Sequence, residues 1–183
     1  MVDLEAEKLL IVAAKKDPTN FDKLYQLYFD KIYNFLLSRC GQKELAEDLA
    51  SQTFLKALEK IDSFHWRNVS FSSWLFRIAI NNLNSYYRKN KKTVLMADEN
   101  LVKIADEKNQ NETTQDQLEK RQNLEQLYEL IKNHLSKKEQ NLIALKYFQE
   151  KSYQEIGEIL NINVNSVGVK LHRIINKMKK HLI

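Results

Sequence analysis

Residues 74–92, WLFRIAINNLNSYYRKNKK, decide how the first half of this chain folds. The stretch carries Trp, Leu, Phe, Ile and Tyr at helical spacing, which is typical of a helix in a protein core. It also carries four polar residues, spaced four, three and four positions apart. At 100° per residue all of them fall within roughly 40° of Arg77 on the helix surface. The stretch therefore predicts a helix that is mostly buried apart from one narrow polar stripe: Arg77, Asn81, Asn84 and Arg88.

This stripe has two interpretations. It is either an ordinary solvated helix face, or a surface for an anionic partner that also offers hydrogen-bonding edges. In the second case the arginines pair with the negative charge of the partner, and the asparagine amides hydrogen-bond to its edges. Lys89, Lys91 and Lys92 follow directly and add positive charge.

The composition of the 183-residue chain indicates an all-α protein. Three Gly and one Pro are too few for several strands joined by tight turns, whereas long helices need little of either. No run of 18 apolar residues predicts a membrane span, and acidic residues stand where a signal peptide has a basic start. The single cysteine, Cys40, excludes an internal disulfide. We therefore expect a soluble intracellular protein.

Charge is distributed unevenly, and its pattern predicts the domain organisation. Residues 21–92 and 121–183 each carry a net charge of +5, whereas residues 93–120 carry seven acidic and three basic side chains. The acidic segment has few large apolar residues, so burial cannot offset the entropy cost of ordering it. We predict two small helical domains, residues 1–92 and 120–183, joined by a flexible acidic linker over residues 93–119.

Four helices are predicted in the first domain. The first covers roughly residues 3–16, and Asn20 is the predicted cap of the second, which Gly41 ends. The third helix, KELAEDLASQTFLKALEKI (residues 43–61), has one apolar face. Its opposite face is polar and includes Glu47, Asp48, Ser51 and Gln52.

An aromatic cluster, Phe64-His65-Trp66, precedes the stripe helix. Aromatic rings beside a cationic groove are how proteins hold unpaired bases. The alternative is packing onto the core, which we favour for Phe64 and leave open for Trp66. A metal site at His65 is not expected, because no cysteine or second histidine stands at ligand spacing.

The second domain carries two capping boxes and a helix-turn-helix pattern. Ser136–Glu139 and Ser152–Glu155 have the form in which a serine and a glutamate cap one helix start reciprocally. After the second box, Gly157 allows close helix crossing, Asn161 suits a left-handed turn, and Asn163 can cap the next helix. That next helix has these outward positions: Asn165, Gly168, Val169, Lys170, His172, Arg173 and Lys177. Cationic and polar side chains on such a helix suit a major groove.

These segments together resemble the bacterial extracytoplasmic-function (ECF) sigma factors of the sigma-70 family. AEDLASQTFLKAL (46–58) resembles the segment that docks on RNA polymerase, and FSSWLFRIAINNLNSYYR (71–88) the helix that reads and opens the downstream promoter element. SYQEIGEILNINVNSVGVKLHRI (152–174) resembles the helix-turn-helix that reads the upstream element. The resemblance implies a four-helix sigma-two-like domain and a sigma-four-like domain.

The resemblance also implies roles for individual residues. Those at the polymerase-docking face are Glu47, Asp48, Ser51 and Gln52. Those at the downstream element are Phe64, His65, Trp66, Arg77, Asn81, Asn84 and Arg88. Those at the upstream element are Asn165, Ser166, Val169, Lys170, His172, Arg173 and Lys177.

Two departures from the family pattern qualify these roles. Ser51 and Gln52 stand where the family commonly has Gln and an acid, so Asp48 is the firmer docking residue. Gly168 and Val169 cannot hydrogen-bond to a base through their side chains, and Lys170 lacks the bidentate fork of arginine. We therefore expect an upstream element unlike the family's commonest one.

The implied function is transcription initiation, not catalysis. The expected partners are core RNA polymerase and promoter DNA, with an anti-sigma factor as a further candidate. The free chain is expected to be a cytoplasmic monomer that reaches the nucleoid through polymerase, without cofactor or metal. The alternative is a helix-turn-helix regulator that acts without polymerase, which predicts no use for the Asp48 face and a dimer that reads paired half-sites.

Overall fold

The computed structural model describes residues 4–66, 70–90 and 126–181, and these ranges contain helices and turns without strands. The first domain comprises α1 (Leu4–Lys16), α2 (Phe21–Cys40), α3 (Lys43–Glu59) and α4 (Phe71–Lys89). The second comprises α5 (126–134), α6 (Lys137–Ile143, continued as a π-helical turn over Ala144–Phe148), α7 (Tyr153–Leu160) and α8 (Val164–Lys179). The predicted all-α class is confirmed, and the predicted linker over 93–119 lies outside the described ranges. None of the described helices has the length and apolar content needed to span a membrane.

Helix α4 of the first domain packs against α2 and α3. Phe76 meets Phe35 of α2 edge to face at 5.2 Å, and Phe71 lies 5.9 Å from the ring of Tyr28. Phe35, Phe71 and Phe76 are fully buried. Since truncating such a ring to alanine typically costs about 3–5 kcal/mol, these contacts strongly constrain the rotation of α4 about its axis.

The ends of α2 differ in how well they were predicted. Gly41 ends the helix in a left-handed conformation, with φ of 71°, and its N–H donates to the Leu37 carbonyl. The predicted cap at Asn20 is wrong: that residue is itself helical and its side chain makes no capping bond. Asp17 caps instead, because a 3-10 turn over Pro18–Asn20 runs directly into α2 and moves the start of the helical segment upstream.

Both predicted capping boxes are formed in the second domain. The Ser136 hydroxyl accepts from the Glu139 N–H while the Glu139 carboxylate accepts from the Ser136 N–H, and Ser152 and Glu155 do the same at α7. Each such cap is typically worth about 1 kcal/mol. The two boxes therefore define where α6 and α7 begin.

The helix-turn-helix between α7 and α8 has the predicted turn. Asn161 adopts the left-handed conformation with φ of 53°, and the Asn163 side chain accepts from the Asn165 N–H at 2.9 Å. Gly157 packs closely against the turn that precedes α8. A Cβ built at Gly157 would lie 3.0 Å from the Ile162 carbonyl oxygen. The apolar face of α8 is buried through Val167, Leu171, Ile174 and Met178.

Gly168 lies in a different environment from Gly157. A Cβ built at Gly168 would lie 3.2 Å from the ring of Tyr153, so this position faces α7 and not open solvent as the sequence suggested. The Tyr153 side chain is 44% exposed and can move, whereas the backbone opposite Gly157 cannot move without shifting the turn.

We predict that Gly157→Ala lowers the free energy of unfolding of the second domain by about 1–3 kcal/mol, because overpacking against the turn backbone outweighs the gain in helix propensity. Gly168→Ala is the matched control, since it has the same propensity gain of about 1 kcal/mol and only a movable ring in its way. Thermal and denaturant unfolding followed by circular dichroism measures both. Equal destabilisation by the two variants would contradict this account of the turn.

Candidate nucleic-acid interface

The polar stripe on α4 is exposed as predicted. Arg77, Asn81, Asn84 and Arg88 all present their side chains to solvent, while the residues between them are largely buried. Asn82 shows that an amide on this helix can instead face inward: it is 5% exposed and donates to the Thr53 hydroxyl at 3.1 Å. The stripe is therefore a defined face of a rigid helix.

The aromatic cluster before α4 divides between core and surface. Phe64 is buried, with its ring 5.4 Å from Phe71 and 5.1 Å from Trp74, so the core-packing interpretation holds and this ring offers no free face for stacking. Trp66 is half-buried and packs edge-on against Phe64, while His65 is exposed. Arg67 lies outside the described ranges.

A cavity of about 510 Å³ opens beside this cluster. It combines an arginine of the stripe with aromatic rings, which are the groups that hold an unpaired base by charge and stacking. Trp74 is a functional candidate that the sequence analysis missed, although its position three residues before Arg77 places both on the same helix face. The lining residues are Ser63, Phe64, His65, Ser73, Trp74, Arg77 and Glu158.

The cluster is held in place from α1. The Lys15 ammonium donates to the Phe64 carbonyl at 2.6 Å and to the Asp62 carbonyl at 3.3 Å. The Lys8 ammonium lies 5.6 Å from the centre of the Trp66 ring. No sequence pattern predicts these contacts, because they join residues 47 to 58 positions apart in the chain.

The predicted docking face on α3 is exposed throughout. Its side chains are Glu47, Asp48, Ser51 and Gln52, and all four are solvent-accessible. Leu55, one turn further along, is 57% exposed. Leu55 adds apolar area beside this polar face, and the sequence analysis did not single it out.

The predicted recognition face on α8 is mostly exposed. Asn165, Val169, Lys170, His172 and Arg173 present their side chains to solvent. Two predicted members differ. Ser166 is half-buried, and the Lys177 ammonium pairs with the Glu139 carboxylate of α6 at 3.3 Å.

The two predicted DNA-facing surfaces meet across a second cavity of about 730 Å³. Arg77, Asn81 and Asn84 line it from α4, and Lys170 and Arg173 line it from α8. Specific protein–DNA interfaces bury about 1,000–2,500 Å² of protein surface. Two surfaces that face each other across one cavity cannot present that much area to a DNA duplex. Binding two separate DNA elements therefore requires the domains to move apart.

The described ranges hold no group of three or more His, Cys, Asp or Glu side chains arranged to bind a metal ion.

Comparisons with known proteins agree with this arrangement. The family model for sigma-70 region 2 matches residues 24–93, and that for sigma-70 region 4 matches residues 124–178. Two curated relatives come from Bacillus subtilis (strain 168). The RNA polymerase sigma factor YlaC is 32% identical over 91% of this chain and 94% of its own length. The ECF RNA polymerase sigma factor SigW is 32% identical over 99% of this chain and 98% of its own length.

A solved structure supports the fold. The sigma factor RpoE of Bartonella quintana, crystallised in complex with the anti-sigma factor NepR, matches with a TM-score of 0.64 at 22% identity, over 89% of this chain and 96% of that one. The two family models together cover more than half of the chain, in the order in which the two predicted surfaces occur. The chain therefore belongs to the sigma-70 family, and within it to the ECF sigma factors.

Proposed function

We propose that this chain is a transcription initiation factor that docks on core RNA polymerase through α3, reads the downstream promoter element with α4, and reads the upstream element with α8. The observation that carries the proposal is the position of the α4 stripe, which borders a cavity lined by Trp74 of the same helix and by Phe64 and His65 of the segment before it. A regulator that acts without polymerase has no use for such a cavity at a strand-opening site or for the exposed α3 face.

In the proposed downstream role, α4 captures a base that leaves the DNA stack. Unstacking a base costs a few kcal/mol, and a stacking contact returns about 1–3 kcal/mol. The cavity beside Trp74 and His65 is the proposed capture site, with Arg77 holding the adjacent phosphate and the amides of Asn81 and Asn84 meeting base edges or sugars. Arg88, at the end of the stripe, holds backbone phosphate.

In the proposed upstream role, α8 enters the major groove of duplex DNA. Arg173 is the residue best suited to a bidentate contact with guanine, because its planar guanidinium presents two parallel donors. Val169 is 51% exposed and can contact a thymine methyl group. Lys170 and His172 supply charge and hydrogen bonds to phosphates.

Docking on polymerase is proposed to use the α3 face. Glu47 and Asp48 give it negative charge, Ser51 and Gln52 give it hydrogen-bonding groups, and Leu55 gives it an apolar contact. With polymerase and promoter DNA as partners, the proposed site of action is the cytoplasm, at the nucleoid. An anti-sigma factor is a further candidate partner, since the matching RpoE structure contains one.

We predict that Asp48→Arg weakens binding to core RNA polymerase by at least tenfold, because reversing a charge at a docking face introduces repulsion as well as removing a contact. Asp30→Arg, an equally exposed charge reversal on α2, is the matched control and should bind as wild type does. Titration of labelled chain with core enzyme measures both. Unchanged affinity of Asp48→Arg would show that the docking face is elsewhere.

We predict that Asn81→Ala impairs strand opening more than formation of the initial promoter complex, because the amide is proposed to contact bases only after they leave the duplex. Permanganate reactivity of thymines near the start site measures opening, and band-shift occupancy by the holoenzyme measures binding. Asn34→Ala, an exposed amide on α2, controls for the substitution itself. Equal loss in both assays would contradict a separate role in opening.

A further inference from the structure

Arg39, at the end of α2, is a buried charged residue whose side chain reaches the other domain. It is 7% exposed. Its Nε donates to the Asn141 side-chain oxygen at 2.9 Å, one terminal nitrogen donates to the Gln140 side-chain oxygen, and the other donates to the Lys137 carbonyl at 3.3 Å. These acceptors are about 100 positions away in the chain, all on α6.

The acceptors are buried together with the guanidinium. Gln140 and Asn141 are 5% and 4% exposed. The amide nitrogen of Gln140 is also satisfied, since it donates to the Leu135 carbonyl, just after α5, at 2.8 Å. The contact is therefore a fully hydrogen-bonded junction between a charged group and neutral acceptors.

Such a junction is suited to opening. Burial lowers the pKa of Arg39 to about 10, so the group is still charged at neutral pH. A buried charge is costly without its partners, and a lone one is rarely tolerated. When the domains separate, however, the guanidinium and both amides can exchange these hydrogen bonds for hydrogen bonds to water. The hydrogen bonds therefore stabilise the closed contact, and the open state leaves no buried charge without a partner.

A second polar contact closes the same interface near the start of α4. The Lys151 ammonium donates to the Ser72 hydroxyl at 2.6 Å and to the Glu155 carboxylate at 2.9 Å. The hydroxyls of Ser70 and Ser73 each lie 3.4 Å from the same carboxylate oxygen. Burial alone raises the pKa of Glu155, but the hydrogen bonds from Ser152 and Lys151 outweigh it and lower that pKa below its usual value. The glutamate that caps α7 therefore stays charged at this interface.

The closed arrangement covers the proposed DNA-binding groups. Arg77 and Asn81 face Lys170 and Arg173 across the 730 Å³ cavity. The cavity with aromatic walls is also closed from the second domain, because Glu158 of α7 lines it beside Arg77. A carboxylate there carries the same sign of charge as a DNA phosphate and occupies the region that a phosphate would need.

We propose that Arg39 is a polar latch that holds the free chain in a closed form in which its own two domains mask each other's DNA-binding surfaces. The existence of the latch does not depend on the proposed function, but the consequence for DNA binding does. Separation of the domains breaks the hydrogen bonds of Arg39 and frees α4 and α8 together. Core polymerase, by holding the domains at separate positions, is the partner class that opens it.

The latch changes DNA affinity by a simple population effect. If only a fraction of free chains is open, the apparent dissociation constant for DNA is the intrinsic one divided by that fraction. Hydrogen bonds to a charged group are among the stronger ones in proteins, so we expect the loss of this set to raise the open fraction at least tenfold.

The test is Arg39→Met, which keeps much of the side-chain length but removes every donor, compared with Lys23→Met. Lys23 is exposed on the same helix and undergoes the same loss of charge. Small-angle X-ray scattering of each free chain measures the radius of gyration. Titration with a promoter duplex that the wild-type holoenzyme opens measures DNA affinity, with and without core polymerase.

We expect wild type and Lys23→Met to be compact, with Arg39→Met larger in radius of gyration and at least tenfold tighter on DNA as a free chain. In the holoenzyme the three chains should bind the duplex within about twofold of one another. Asn141→Leu removes one acceptor from the opposite domain and should expand the chain in the same way. Circular dichroism confirms that each variant retains its helices.

Three outcomes would overturn the proposal. Identical scattering of wild type, Arg39→Met and Asn141→Leu would show that the latch does not hold the domains. An expanded wild type would show that the closed form is not the free state. Expansion of Arg39→Met without tighter DNA binding would show that the contact masks nothing. Failure of the proposed function itself appears separately, as a wild-type holoenzyme that opens no promoter.

Discussion

The burial of α4 is the constraint on which the rest of the first domain depends. Phe71, Leu75, Phe76, Ala79 and Leu83 are each no more than 1% exposed, so one face of the helix is committed to the core. The polar stripe is what remains on the other side. Because Phe35 and Tyr28 of α2 pack against the aromatic residues of α4, the stripe is held in a fixed orientation. A preorganised surface loses less conformational entropy on binding than one that must first become ordered.

The same helix links the first domain to the second. Its start faces Lys151 and Glu155, and the middle of its stripe faces α8 across a cavity. At the other end of the interface the contact is a buried arginine hydrogen-bonded to amides. Contacts between domains of one chain are commonly more polar than obligate interfaces and permit relative motion. A protein that must bring two helices to two DNA sites needs an interface of this kind.

The span between the two sites adds a second constraint. Sites two helical turns apart on DNA are about 70 Å from each other. The predicted linker over residues 93–119 could reach on the order of 90 Å when extended, but its average as a flexible coil is nearer 30 Å. Both promoter elements are therefore accessible to one chain only when the domains are well separated.

Local chemistry was largely predictable from the sequence. Gly41 and Asn161 have the left-handed conformations expected of them, and both capping boxes form, because each depends on residues within a few positions of one another. The exposed stripe followed from periodicity alone. The one wrong cap, Asn20, resulted from a short 3-10 turn that starts earlier, at a proline.

Contacts between distant residues were not predictable in this way. Lys15, which holds the Phe64 carbonyl, and Arg39, which reaches Asn141, look like ordinary surface cations in the sequence. Trp74 was counted only as part of a core helix, although it lines the cavity beside Arg77. Periodicity indicates which face of a helix is buried, but it does not indicate which other element covers a partly exposed position.

The central claim is that α4 and α8 face each other in the free chain and separate to act on DNA. Pulsed dipolar spectroscopy between spin labels at Lys60 and Glu150, two exposed positions in different domains, tests it directly once Cys40 is replaced by serine. The account predicts one short, narrow distance distribution in the free chain and a distance longer by tens of ångströms in the complex with core polymerase and promoter. The same short distance in both states would contradict it.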